Sequence, residues 1–220
     1  MTEAEARGAI VAAMRRLDEA GLNRGTSGNA SIRRGDGFLV TPSGVRAEAL
    51  DPDTMVAVAM DGTYPAGRRP SSEWRFHRDI YSARAEAGAI VHTHSTYATA
   101  LASLRRSIPA FHYMVAVAGG RSIECAEYAT FGTQALSDSV LAALDGRRAC
   151  LIANHGQIAF GDDLDAAMRL AFEVEALAEQ YAHVLQIGEP VLLDDAEMDR
   201  VLAKFGNYGS GVAAGGDGAG

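Results

Sequence analysis

Two of the six histidines in this 220-residue chain are spaced to act together. His92 and His94 flank Thr93 at the end of the apolar run Ala89-Ile90-Val91. In a strand, residues two apart project from one face, so the two imidazoles point the same way. His155 ends a second apolar run, 149–153, and is followed at once by Gly156. Three neutral imidazoles suit Zn²⁺ at nitrogen–metal distances of about 2.0–2.1 Å and leave a fourth position open, as catalytic sites require. The same spacing also suits polar histidines at two strand ends. Glu73 is a second candidate group, although a carboxylate just before an amphipathic helix can simply stabilise that helix's N-terminus. His77 lies one turn further on, over the same helical face, where support of the site or packing is expected rather than ligation. His112 and His183 gain no ligand role from their spacing.

Three small-polar segments form the other chemical feature: Thr26-Ser27-Gly28-Asn29, Thr41-Pro42-Ser43-Gly44 and Ser71-Ser72. Hydroxyls and exposed backbone N–H groups cradle a phosphate without needing Lys or Arg, most readily at a helix N-terminus. Each segment alone reads as a turn. Only their convergence would make a site, and no spacing rule requires it.

The elements that must hold these residues follow from periodicity. Helical spacing of Ile10, Val11, Met14 and Leu17 predicts a helix over 3–21, with Gly21 at its end. Short strands are expected at 30–33, 37–41 and 55–60, the last stopped by Asp61-Gly62, a pair that suits a hairpin. A helix capped by Ser71 or Ser72 is expected to reach about 87, followed by a strand at 89–94 and a helix at 95–104. Residues 107–131 show no clear period. Beyond them come a helix opening at Phe131-Gly132-Thr133 and ending near 144, a strand at 149–153, and helices at about 163–187 and 194–204. No Pro/Gly/Ser linker divides the chain and no repeat is visible, so the expectation is one α/β domain over 1–209 with a flexible glycine-rich tail at 210–220.

Composition excludes several classes. Apolar residues make up 48% and charged residues 22% of the chain, which argues against disorder. With 20 basic against 28 acidic side chains, the net charge of −8 leaves no basic stripe for a nucleic acid. The apolar runs are too short for a membrane span, and the opening MTEAEARGAI lacks the basic-then-apolar order of a secretory leader. Cys125 and Cys150 are too few for a disulfide framework, and two reduced thiols fit a cytoplasmic protein.

Taken together, the segments GTSGNASIR, LVTPSG, PSSEWRFH, AIVHTHS, SIPAFHYMVAVAGG, YATFGT, NHG and KFGNYG resemble the class II aldolase/adducin family, in register over almost the whole chain. The resemblance implies an α/β fold with a central, mainly antiparallel sheet flanked by helices, assembled as a homotetramer with sites between subunits. It implies one Zn²⁺ per subunit on His92, His94 and His155, and an acid/base role for Glu73, which is also a candidate ligand of the resting metal. Gly28, Asn29, Ser43, Gly44, Ser71 and Ser72 then match the phosphate-binding segments. Tyr113 matches a tyrosine reaching in from an adjacent subunit, and Phe131, Phe205 and Tyr208 match residues that position the aldehyde. The implied reaction is reversible cleavage of a ketose 1-phosphate to dihydroxyacetone phosphate and an aldehyde. The metal takes the charge on the C2 oxygen, and no lysine Schiff base is needed; Lys204 is the only lysine in the chain. L-Fuculose 1-phosphate is the first expected substrate, with 5-deoxyribulose or 5-methylthioribulose 1-phosphate as alternatives. A ribulose-5-phosphate 4-epimerase is the nearest rival activity, disfavoured because those enzymes carry Asp where this chain has Glu73. Thr93 and Asn154, both beside the histidines, depart from the family member it resembles most, so specificity is expected to vary in the aldehyde half.

Overall fold

The computed structural model describes residues 1–208, and the expected tail at 210–220 lies outside the described residues. From the N-terminus the chain runs α1 (Glu3–Glu19), β1 (Asn29–Arg34), β2 (Gly37–Val40), β3 (Val56–Ala59), α2 (Trp74–Ala83), β4 (Ala89–Thr93) and α3 (Thr96–Ser103). It continues through β5 (Cys125–Ala126), α4 (Gln134–Ala143), β6 (Ala149–Ile152), β7 (Gly156–Gly161), α5 (Leu164–Ile187) and α6 (Asp195–Tyr208). The strands make one seven-stranded sheet in the order β3-β2-β1-β4-β7-β6-β5. Every pair is antiparallel except β5 with β6.

Strand alternation sorts the apolar side chains onto two faces. Ala89, Val91, Leu151 and Ala159 join the core formed with α1, α3 and α5, while Ile90, Cys150, Ile152, Ile158 and Phe160 join a second core under α2 and α4. Helices therefore cover both faces, and the central strands read as continuous apolar runs because neither face meets water. The expected α/β class and mainly antiparallel sheet are both present. No helix among the described residues is long and apolar enough to cross a membrane.

Several expectations need correction. Periodicity predicts no strand at 156–161, yet β7 lies at the centre of the sheet between β4 and β6. Helix α2 stops at Ala83 rather than near 87, because Arg33 reaches its C-terminal end and donates to the carbonyls of Tyr81, Arg84 and Ala87. Asp61-Gly62 does make a turn, with Gly62 at φ +87°, but no partner strand follows and β3 stays at the edge. The stretch 107–131 holds a 3₁₀ turn at Tyr113–Ala118, a single bridge between Ile108 and Ile123, and the two-residue β5. None of these has a period to read.

The topology brings separate segments to one end of the sheet. β1 starts there and β4 finishes there, with Asn29 opposite His92. The β6–β7 turn and the far end of β2 open at the same end. Pro42, just after β2, bridges to Pro70, so the loop at 41–44 and the loop before α2 are held side by side.

Candidate metal and phosphate site

The three histidines expected to act together do meet. His92, His94 and His155 have ligand atoms all within 4.8 Å of one another, and each pair of rings has centroids 4.8 or 4.9 Å apart. His92 comes from β4, and His94 lies one residue beyond it. His155 sits in the turn between β6 and β7, where Asn154 adopts φ +54°, a conformation asparagine tolerates. Gly156 is needed in that turn, since a Cβ there would stand 2.2 Å from the Thr93 carbonyl oxygen and 3.2 Å from the His94 ring. The segment carrying His94 is fixed from behind: its backbone N–H donates to Asn23, and Glu175 of α5 accepts the N–H groups of Tyr97 and Ala98 at the start of α3.

Proton placement follows from the partners. His92 Nδ1 donates to the Gln157 carbonyl at 2.8 Å, so its Nε2 carries a lone pair toward the cluster. His94 Nε2 stands 3.0 Å from His92 Nε2. Burial, reinforced by the neighbouring His92 and His155, lowers the His94 pKa to about 3, which keeps this imidazole neutral.

Glu73 immediately precedes α2 but does not cap it, because its side chain makes no hydrogen bond to the helix backbone. Ser71 Oγ instead accepts from the Glu73 N–H. The buried carboxylate points into the cluster, with Oε2 3.3 Å from His92 Nε2 and Oε1 3.1 Å from His155 Nε2. Burial alone would raise its pKa, yet the adjoining His92 and His155 outweigh that and hold the carboxyl well below the usual carboxylate range. Oε1, despite its nearness to His155, lacks hydrogen-bond geometry to any partner. Imidazole lone pairs converging beside an ionised, under-bonded carboxylate form a set of electron donors that fits a divalent cation.

Glu73, His94 and His155 form one wall of a pocket of about 320 Å³, with His92 buried behind them. All three small-polar segments line it: Thr26, Ser27, Gly28 and Asn29; Pro42, Ser43 and Gly44; Ser71 and Ser72. Gly28 and Gly44 both sit at φ +73°, and a Cβ on Gly28 would clash with the Asn23 amide at 2.3 Å. No Lys or Arg lines the pocket, so an anion there would be met by hydroxyls, backbone N–H groups and the N-terminus of α2. Phe131 lines its rim. Tyr128 and Asn154 do too; they belong to the family-like segments YATFGT and NHG, but no site role follows from their residue types or spacing.

Tyr113 and Phe205 lie elsewhere. They line a separate cavity of about 720 Å³ with Phe111, His112, Leu193 and Lys204, and Tyr113 is 50% exposed. One chain therefore does not bring them to the histidines. Tyr208 ends α6, and its side chain lies outside the described residues.

A mixed sheet between two helical layers thus ends in a three-histidine cluster that could hold a metal ion, beside a pocket lined by small polar residues. Residues 8–182 match the family described as class II aldolase and adducin N-terminal domain, and the chain belongs to that family. It is a class II aldolase, a lyase. It is 55% identical over 200 residues to a 5-methylthioribulose-1-phosphate/5-deoxyribulose-1-phosphate aldolase of Rhodospirillum rubrum, covering 91% of this chain and 90% of that one. Identity to the L-fuculose phosphate aldolase of Escherichia coli K12 is 50% over 190 residues, covering 86% and 88%. A solved L-fuculose 1-phosphate aldolase superposes with a TM-score of 0.88 at 40% identity, covering 92% of this chain and 96% of that one.

Proposed function

We propose that this enzyme cleaves a ketose 1-phosphate reversibly to dihydroxyacetone phosphate and an aldehyde, as a cytoplasmic zinc aldolase. The carrying observation is the meeting of the three-histidine cluster, Glu73 and all three small-polar segments in one pocket. His92, His94 and His155 would hold the ion, and three neutral nitrogen donors favour zinc. When bound there, the ion supplies a Lewis acid for the negative charge that develops on the C2 oxygen as the C3–C4 bond breaks.

The chain's own residues do the rest. Gly28, Asn29, Ser43, Gly44, Ser71 and Ser72 bind the phosphate and fix the dihydroxyacetone half beside the histidines. As substrate enters, the Glu73 carboxylate turns from the imidazoles, takes up a proton from water and delivers it to C3, while the proton released from the C4 hydroxyl passes back to water, so the count balances. Tyr113 takes the C4 hydroxyl proton as the aldehyde leaves. Because its own chain keeps it in a different cavity, the tyrosine comes from a second copy, consistent with a homotetramer that shares sites between subunits. Phe131 positions the aldehyde at the pocket rim, and Phe205 and Tyr208 complete that half from the C-terminal helix.

Tyr128 and Phe131 give the rim an aromatic character that suits an aldehyde with an apolar end. Fuculose, 5-deoxyribulose and 5-methylthioribulose 1-phosphates all meet that requirement. The deciding assay is dihydroxyacetone phosphate release from each of the three, with and without chelator, and with ribulose 5-phosphate as an isomerase control. Chelator-sensitive release is expected, and the ranking of kcat/KM selects the substrate. Xylulose 5-phosphate formation without release from any ketose 1-phosphate would overturn the cleavage reaction.

A further inference from the structure

Behind Glu73 runs a chain of buried polar groups, of which the proposed reaction uses only Asn29, in the phosphate loop. Asn29 Nδ2 donates to Glu73 Oε2 at 2.9 Å, while Asn29 Oδ1 lies 2.5 Å from His77 Nε2. His77 Nδ1 is 2.7 Å from Ser31 Oγ, which is itself 2.7 Å from the Tyr81 hydroxyl. All five side chains are buried, and His77 and Ser31 have no exposed surface. Local geometry sets the pairing: Asn29 and Ser31 are two apart on β1, and His77 and Tyr81 are four apart on α2.

One end of this chain dictates every bond in it. A carboxylate oxygen can only accept, so Asn29 must turn its amino group to Glu73 and its carbonyl oxygen to His77. His77 must then carry its ring proton on Nε2 and leave Nδ1 bare. That nitrogen accepts from the Ser31 hydroxyl, whose oxygen accepts from the Tyr81 hydroxyl. Reversing one bond would set two acceptors or two donors face to face in a dry interior. Packing alone does not ask for an imidazole here. The ring lies between Phe76, centroid 4.9 Å away, and Phe38, 6.3 Å away, where a hydrocarbon would fit without buried polar atoms.

We propose that His77 is a positioning residue of the aldolase reaction: through the Asn29 amide it holds Glu73 by Oε2 and leaves Oε1 turned toward His155 and the reacting atoms. The proposal rests on the reading of Glu73 as the acid/base group. Without the Nε2–H donor, the Asn29 amide is free to flip and present an acceptor to the carboxylate, which then loses its orientation.

The test uses the full-length, metal-loaded enzyme with three variants: His77→Phe, His77→Gln and Glu73→Gln. His77→Phe is expected to lose about 10–100-fold in kcat, the range for removing a group that orients the reacting shell, with KM and metal content unchanged. His77→Gln, whose amide N–H reaches toward the Nε2 position, is expected to recover most of that loss. Nitrogen-15 spectra of the unmodified enzyme, with the His77 signal identified by its absence from His77→Gln, are expected to show the neutral Nε2–H form. That readout survives even if His77→Phe fails to fold. An Nδ1–H ring overturns the proposal, as does equal turnover of the Phe and Gln variants, whether normal or lost. Normal turnover in Glu73→Gln would bring down the acid/base reading and this proposal with it. An inactive Glu73→Gln beside a fully active His77→Phe would bring down only the role of His77.

Discussion

The histidine pocket and the cavity under Tyr113 are built in opposite ways. Strand ends and tight turns supply the first, and its central groups are buried: His92 has no exposed surface and Glu73 is 7% exposed. A 3₁₀ turn and the last helix supply the second, which is lined largely by apolar residues and leaves Tyr113 half in solvent. The first has the donors for a cation and an anion already in place. The second, among the described residues, holds no cluster of metal-binding groups. In the proposed reaction this contrast leaves the phosphate half to one chain's own pocket and the Tyr113 proton transfer to a second copy.

The sharpest way to break this contrast is to remove a ligand. His92→Ala is expected to abolish stoichiometric zinc and to lower turnover by at least about 1000-fold, since the ion's charge stabilisation goes with it. Metal analysis beside kinetics checks this, and retained zinc would remove His92 from the ligand set. Glu73→Gln should keep the metal and lose roughly 100–1000-fold in kcat, the scale of a missing proton carrier. Gly156→Ala comes next, because the new methyl must displace the Thr93 carbonyl 2.2 Å away. A stability loss of about 1–3 kcal/mol is expected in denaturant unfolding, together with weaker metal retention. Unchanged unfolding and metal content would show that the turn can shift without moving His94.

Tyr113 tests the other side of the contrast. Tyr113→Phe should lower turnover about 10–100-fold with metal content intact, a proton-transfer loss at the low end of the usual range. Mixed assemblies of Tyr113→Phe and Glu73→Gln chains should regain part of the activity, because some sites then combine one intact half from each chain. No regain on mixing would place the tyrosine's partner within its own chain. The smallest effect belongs to truncation: removing 209–220 should leave kinetics unchanged, while cutting before Phe205 should raise KM for the aldehyde in the condensation direction.

What the sequence disclosed depended on range. His92 and His94 were legible because strand alternation is a local rule, and His155 because it closes an apolar run. The loops at 26–29, 41–44 and 71–72 could be named but not joined, since their meeting depends on the order β2-β1-β4-β7. β7 itself escaped because Gly156–Gly161 is buried at every position and so shows no two-residue alternation, and because it is bounded by glycine and directly follows the His155 turn. Glu73 invited reading as a helix-stabilising carboxylate. The family resemblance pointed it to the histidines instead, and its distances to His92 and His155 show the carboxylate turned there. Helix α2 was read as too long because periodicity continues past Ala83, whereas the Arg33 guanidinium that claims its last carbonyls is distant in sequence.

Tyr128 and Phe131 are 54% and 65% exposed, although they border the same pocket as Glu73, His94 and His155. Surface substitutions of this kind usually cost the fold little. The enzyme thus separates an inflexible base from a replaceable rim, so a randomised library at these two positions could be screened for new aldehydes. Variants from it would keep their metal, and selection could act on preference alone.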